Sequence, residues 1–153
     1  ELVLHGQVDL APRTEALLYA ADKAQHVAEV VEPALAVGHI VICDRYVDSS
    51  IAYQGGGRTL RGDEVARLAW WSVSDLVPDL TVLMDVTVGE GLSSKSNHDR
   101  IESAGIDFHL RVREHFLALA AEEPGRYLVV NGRDPKDEVT AQIRARVAQL
   151  LPR

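Results

Sequence analysis

The sequence predicts an α/β domain built on a parallel sheet with right-handed crossovers, and three observations lead there. Short β-branched runs alternate with longer segments that repeat apolar residues at helical spacing. The first run is apolar on both faces, as expected of a strand covered from two sides. The chain has 153 residues, 46% of them hydrophobic, enough for a single domain with a sizeable core and a poor match to intrinsic disorder.

The opening Glu1–Gly6 resembles the end of a helix, because glycine suits a left-handed stop. From Arg13 to Leu35, apolar residues at 17, 18, 21, 24, 27, 30, 31 and 35 predict a long helix, bent or ended near Pro33. Gly38 releases the chain into His39-Ile40-Val41-Ile42-Cys43, read as a buried parallel strand, with Cys43 as one of its small buried residues. Gly55-Gly56-Gly57 reads as a glycine-rich loop, followed by a helix over 63–75 that Val77-Pro78-Asp79 terminates. A second strand is predicted over 80–86 and a polar stretch over 89–97. Then come a helix over 107–122 ended by Pro124-Gly125, a third strand over 127–130, and a last helix over 135–151 with Pro135 at its start.

Sixteen Lys and Arg against 23 Asp and Glu give a net charge of −7, which disfavours a broad nucleic-acid surface or an anionic membrane. Any cationic site must be local. The lone cysteine excludes an intrachain disulfide and a multi-cysteine zinc site, and fits a reducing compartment. With no apolar run of membrane-spanning length and no export leader in the sequence, a soluble cytoplasmic protein is expected. His109 and His115 stand six apart, off a common helical face, and suggest no metal site. Trp70-Trp71 suggests one ring in the core and a possible dimer contact for the other.

In open parallel sheets, ligands lie outside the carboxyl ends of the strands, where Asp44 and Arg45 are expected. An aspartate there suits a magnesium ion or a sugar hydroxyl, and an arginine's planar fork suits phosphate oxygens; a structural ion pair or a helix cap would use the same residues. The next stretch, Ser49 to Arg58, gathers hydroxyls, an aromatic ring, an amide, three glycines and a cation within ten positions, a composition that suits a binding loop or, equally, a surface turn.

The run Asp44-Arg45-Tyr46-Val47-Asp48-Ser49-Ser50-Ile51-Ala52-Tyr53-Gln54-Gly55 closely resembles the signature of bacterial thymidylate kinases. The resemblance continues through Glu15 to Asp22, Pro78 to Thr81, Asp99 to Glu102, and Phe108, His109, Val112 and Arg113, in the family's order. It implies a P-loop nucleoside-monophosphate-kinase-like parallel sheet flanked by helices, one domain over 1–153, and phosphorylation of dTMP to dTDP with ATP and Mg²⁺ by a homodimer. By the same resemblance, Tyr19 stacks on thymine and Lys23 stands where the family usually has an arginine reaching the base. Lysine keeps the charge but loses the fork. Ser50 and Gln54 line the base pocket, Tyr53 presses on the deoxyribose, and Arg45 holds the substrate phosphate. Asp44 sits near the magnesium and the 3′-hydroxyl, Arg58 gives lesser support, and Arg100 marks the edge of the lid.

Two departures stand out. No Gly-x-x-x-x-Gly-Lys-Ser/Thr occurs, and the nearest spacing, Gly57 to Gly62, runs into Asp63-Glu64, which would repel phosphate. The resemblance therefore places a first strand, P-loop, helix and second strand ahead of Glu1, roughly fifty residues by the size of such units. The lid, Gly89 to His98, carries Lys95 as its one cation where relatives often have arginines, and so is expected to neutralise less charge. A truncated or degenerate nucleotide-binding or dimerising domain without kinase activity is the alternative reading.

Overall fold

The computed structural model describes residues 10–57, 60–87 and 105–151. Its first element is a long helical rod: α1 (Pro12–His26), a π-helical segment (Val27–Val31) and α2 (Glu32–Ala36). Pro12 opens it, where a missing N–H costs nothing. The predicted bend near Pro33 is a widened turn just ahead of the proline, in which the Glu32 N–H reaches the Val27 carbonyl five residues back. Pro33 cannot donate to the carbonyl four residues before it, and the π-turn absorbs that mismatch. The rod stops at Gly38, whose φ of 80° fits a left-handed cap. The Gly38 N–H bonds the Leu35 carbonyl at 2.9 Å and the His39 N–H bonds the Ala34 carbonyl at 3.0 Å, closing a Schellman motif.

Residues 39–43 do not form the predicted strand. They run as irregular chain with Ile42 94% exposed, and Cys43 is exposed rather than buried. Among the described residues the paired strands are β1 (Thr81–Asp85) and β2 (Tyr127–Asn131), which lie parallel with Thr81 opposite Tyr127 and Asp85 opposite Asn131. β-Branched residues favour a strand only where a ladder partner takes up the backbone groups, and 39–43 has none among the described residues.

The glycine-rich stretch is also reassigned. It is helical: α3 (Val47–Ser50) continues as a π-helical segment, Ile51–Gly57. The glycines serve close packing rather than a turn, since a Cβ on Gly56 would stand 2.1 Å from the His115 ring and one on Gly55 would stand 3.2 Å from the Gly62 Cα. A Gly56→Ala variant is expected to lose about 1–3 kcal/mol of stability through overpacking. A chemical melt of Gly56→Ala in a His115→Ala background should recover most of that loss; no recovery would assign the effect elsewhere.

α4 (Gly62–Ser72) starts one residue before the predicted 63–75 and stops three short of its end, at a second Schellman pair in which the Ser74 N–H bonds the Trp71 carbonyl and the Asp75 N–H bonds the Trp70 carbonyl. α5 (Ile106–Glu122) leads into β2, and α6 (Lys136–Ala148) starts one residue after Pro135. The core joins Val27 and Val31 of the π-turn to Val47, Ile51, Ala69 and Val73, with Trp70 packed against it and Trp71 left 77% exposed. A second cluster sets Ala52, Phe108 and Val112 under Tyr53 and Phe116. Thus α3 and its continuation lie between α4 and α5, held on both sides by apolar contacts.

Candidate functional site

Helical spacing puts Glu15, Tyr19 and Lys23 of α1 on one face, at i, i+4 and i+8. That face meets the start of α3 and its continuation. Lys23 Nζ lies 5.1 Å from the Tyr19 ring centre, and Arg45 Cζ lies 4.9 Å from that of Tyr53. Tyr53 is held in turn by edge and tilted contacts to Phe116 and Phe108, with ring centres 6.1 and 6.0 Å away. Gln54 and Ser50 are buried, 2% and 6% exposed, and Gln54 Nε2 donates to Glu15 Oε1 at 3.1 Å.

Electrostatics bind these groups into one unit. Burial depresses the Lys23 ammonium and the nearby Arg45 charge adds to this, against Asp22 and Cys43. Burial alone would also lower the Arg45 guanidinium, but the Tyr53 hydroxyl, Asp44 and Tyr19 hold it above its ordinary value. The Cys43 thiol is pushed up by partial burial and by Asp44, which Lys23 opposes; its Sγ donates to the Arg45 carbonyl at 3.3 Å. Burial, helped by Cys43, Asp48 and Glu32, pushes the Tyr46 hydroxyl up to about 12, and that hydroxyl donates to the Leu76 carbonyl at 3.0 Å. Arg45 has φ 65°, a left-handed backbone that a non-glycine residue adopts at a cost of order 1–3 kcal/mol. A charged guanidinium stacked on a packed tyrosine has the chemistry to bind an anion.

Tyr19, Lys23 and Asp44 thus lie within electrostatic range of Arg45, which stacks on Tyr53, and Gln54 bonds the same α1 face through Glu15. Arg58, Lys95 and Arg100, with Glu1–Gly6, the lid and Asp99 to Glu102, lie outside the described residues. Asp63, the acidic residue after the nearest P-loop spacing, is paired instead with Arg61 and Arg67 in the first turn of α4.

Sequence reasoning missed three contacts. Glu15, 1% exposed, accepts a bond from Gln54; its place two turns before Lys23 is the signal that was present. Arg113 of α5 grips Asp85 at the carboxyl end of β1 with two bonds of 2.6 and 2.7 Å. The third is a network on Asp48. Arg126 reaches both Asp48 oxygens at 2.9 and 3.0 Å, Tyr127 donates at 2.6 Å, and Thr81 donates at 3.3 Å. Glu123 takes two further Arg126 bonds at 2.8 and 2.9 Å. Thr81 and Tyr127 are the first residues of their strands, so this network pins the amino ends of the sheet to α3.

A parallel strand pair flanked by helices, with the Lys23–Tyr19 and Arg45–Tyr53 cation–ring contacts beside the Asp44-Arg45 turn, defines an α/β domain with a local cationic and aromatic cluster. Residues 1–143 match the family model for thymidylate kinase. Over its whole length the chain is 58% identical to the thymidylate kinase of Cutibacterium acnes, covering 76% of that protein. It is 52% identical to that of Leifsonia xyli subsp. xyli, with 96% of this chain and 71% of the relative aligned. For the thymidylate kinase of Geobacter sulfurreducens the identity is 42%, over 97% of this chain and 74% of the relative. The chain belongs to the thymidylate kinase family.

Proposed function

We propose that this chain carries the dTMP site of a thymidylate kinase that transfers the terminal phosphoryl group of ATP to dTMP, giving dTDP and ADP, and that residues 1–153 act as one domain of this kind. The single observation that best supports the reading is the Arg45–Tyr53 stack within electrostatic range of Tyr19 and Lys23 of α1. The acceptor is a phosphate oxygen already negative, so catalysis needs alignment and charge neutralisation rather than a strong base. Arg45 would hold the dTMP phosphate with its fork while Tyr53 fixes the fork's plane and presses on the deoxyribose. Tyr19 would stack on the base, with Lys23 above it reaching the base edge. Ser50 and Gln54 would line the base pocket, and Arg58, Lys95 and Arg100 would add charge to the phosphates.

Asp44 suits Mg²⁺ as one carboxylate donor, since this ion commonly takes its remaining oxygens from phosphates and water. When bound, the ion supplies neutralisation of the transferring group. No phosphate-cradling Gly-Lys-Ser/Thr sequence lies within 1–153, so no step of ATP binding is assigned to these residues. Among the described residues no helix is long and apolar enough to cross a membrane. A cytoplasmic homodimer is part of the proposal, and the exposed Leu17 and Trp71 are apolar groups that a second copy would cover.

The test is a coupled assay of the protein carrying this chain with dTMP, ATP and Mg²⁺, with dTDP identified by chromatography. The expected result is formation of dTDP that depends on all three. Tight dTMP binding with no dTDP would overturn the kinase reading in favour of a nucleotide-binding domain.

A further inference from the structure

Gln54 is almost wholly buried, yet only half of its amide is satisfied. Its Nε2 donates to Glu15, whereas among the described residues no hydrogen bond reaches its Oε1. Ser50 lies four residues earlier in the same helical run, is likewise buried, and its hydroxyl makes no hydrogen bond among the described residues either. Buried polar atoms without partners are costly and uncommon. Two in one helical run, beside the Tyr19 face, mark a place where a ligand's polar edge completes the bonding.

We propose that Glu15 is a positioning residue that locks the Gln54 amide with its carbonyl oxygen toward the base, so that the site selects a pyrimidine with a ring N–H donor over one with a ring-nitrogen acceptor. The proposal rests on the dTMP reading above. An amide can present either its oxygen or its nitrogen, and a free glutamine would turn to suit either base. A carboxylate oxygen only accepts, so turning Gln54 over would set its oxygen against that of Glu15. The amide nitrogen is therefore kept on α1, and the oxygen is left to accept. Thymine's N3–H meets that oxygen; in 5-methylcytosine, N3 is an acceptor and meets it lone pair to lone pair. Ser50, whose hydroxyl can donate or accept, completes the edge without choosing between them. Glu15 itself need not touch the substrate.

The experiment compares dTMP with 5-methyl-dCMP, which keeps the methyl group, the sugar and the phosphate, by competition calorimetry on the protein carrying this chain. Wild type is expected to favour dTMP by about 10²-fold or more, as sites built on a buried hydrogen bond do. Glu15→Gln keeps the size and a bonding partner but allows both amide orientations, and is expected to cut that ratio by about tenfold, mainly by a gain in 5-methyl-dCMP affinity. A merely structural role would weaken both ligands together. Gln54→Met, which removes the amide at similar volume, is the second variant and should also collapse the ratio. A ratio unchanged within twofold in either folded variant overturns the positioning role while leaving the kinase reading intact. Wild type that binds no dTMP overturns both.

Discussion

Arg45→Ala is expected to weaken dTMP binding by roughly 10²–10³-fold, the usual consequence of truncating one partner of a charged, hydrogen-bonded pair in a shielded site. The guanidinium lies over Tyr53, beside Asp44 and within the field of Tyr19, and these groups keep it charged despite its partial burial. Tyr53 is itself wedged against Phe108 and Phe116, so the fork is oriented before the phosphate arrives. Arg45→Lys should recover only part of the loss, because an ammonium keeps the charge without the two parallel N–H groups. Alanine retains a Cβ at a φ of 65°, so the backbone cost persists and the fold has no new strain to relieve. Calorimetry with dTMP decides it: an affinity within threefold of wild type, in a variant that melts normally, would remove Arg45 from the phosphate site.

Asp48→Ala is expected to cost about 3–5 kcal/mol of stability, the range found when one member of a buried ion pair is removed. Asp48 and Arg126 have side chains only 5% and 8% exposed and share two hydrogen bonds. Removing the carboxylate leaves the buried guanidinium with the half-exposed Glu123 as its remaining carboxylate partner. An Asp48→Leu/Arg126→Met double variant should be markedly more stable than Asp48→Ala, since an apolar pair strands no charge. Equal instability of the two would show that packing, not the unpaired charge, is responsible.

The same pair sets a pH dependence. Burial by itself would raise the Asp48 carboxyl, but bonds from Arg126, Tyr127 and Thr81 hold it below its ordinary 3.8. A depressed folded-state value means the unfolded chain binds the proton more readily. The stabilisation is therefore complete above the unfolded value and is lost as pH falls through the folded one. Urea midpoints measured downward from pH 6 should decline more steeply in wild type than in the double variant. Parallel declines would deny Asp48 this role.

Much of this was legible along the chain. Periodicity located α1, α4, α5, β1 and β2 to within a few residues, because each carries its own repeat and its own stop, such as Gly38 or Pro124-Gly125. The signature from Asp44 to Gly55 named the family, since its residues are contiguous. Two segments misled for the same reason. The residues 39–43 have strand composition but no ladder partner among the described residues, and Gly55 to Gly57 look like a turn but are helical, with His115 and Gly62 packed against Gly56 and Gly55 where a Cβ would stand.

What the sequence determined alone is the set of local conformations and the chemistry of one continuous stretch, because propensity, capping and motif spacing act within a few residues. The tertiary structure alone decided which distant groups meet. Asp48 and Arg126 are 78 residues apart and Gln54 and Glu15 are 39 apart. Such pairs form only when helices and strands pack, and burial then turns an ordinary carboxylate into an anchor for the sheet or a lock on an amide.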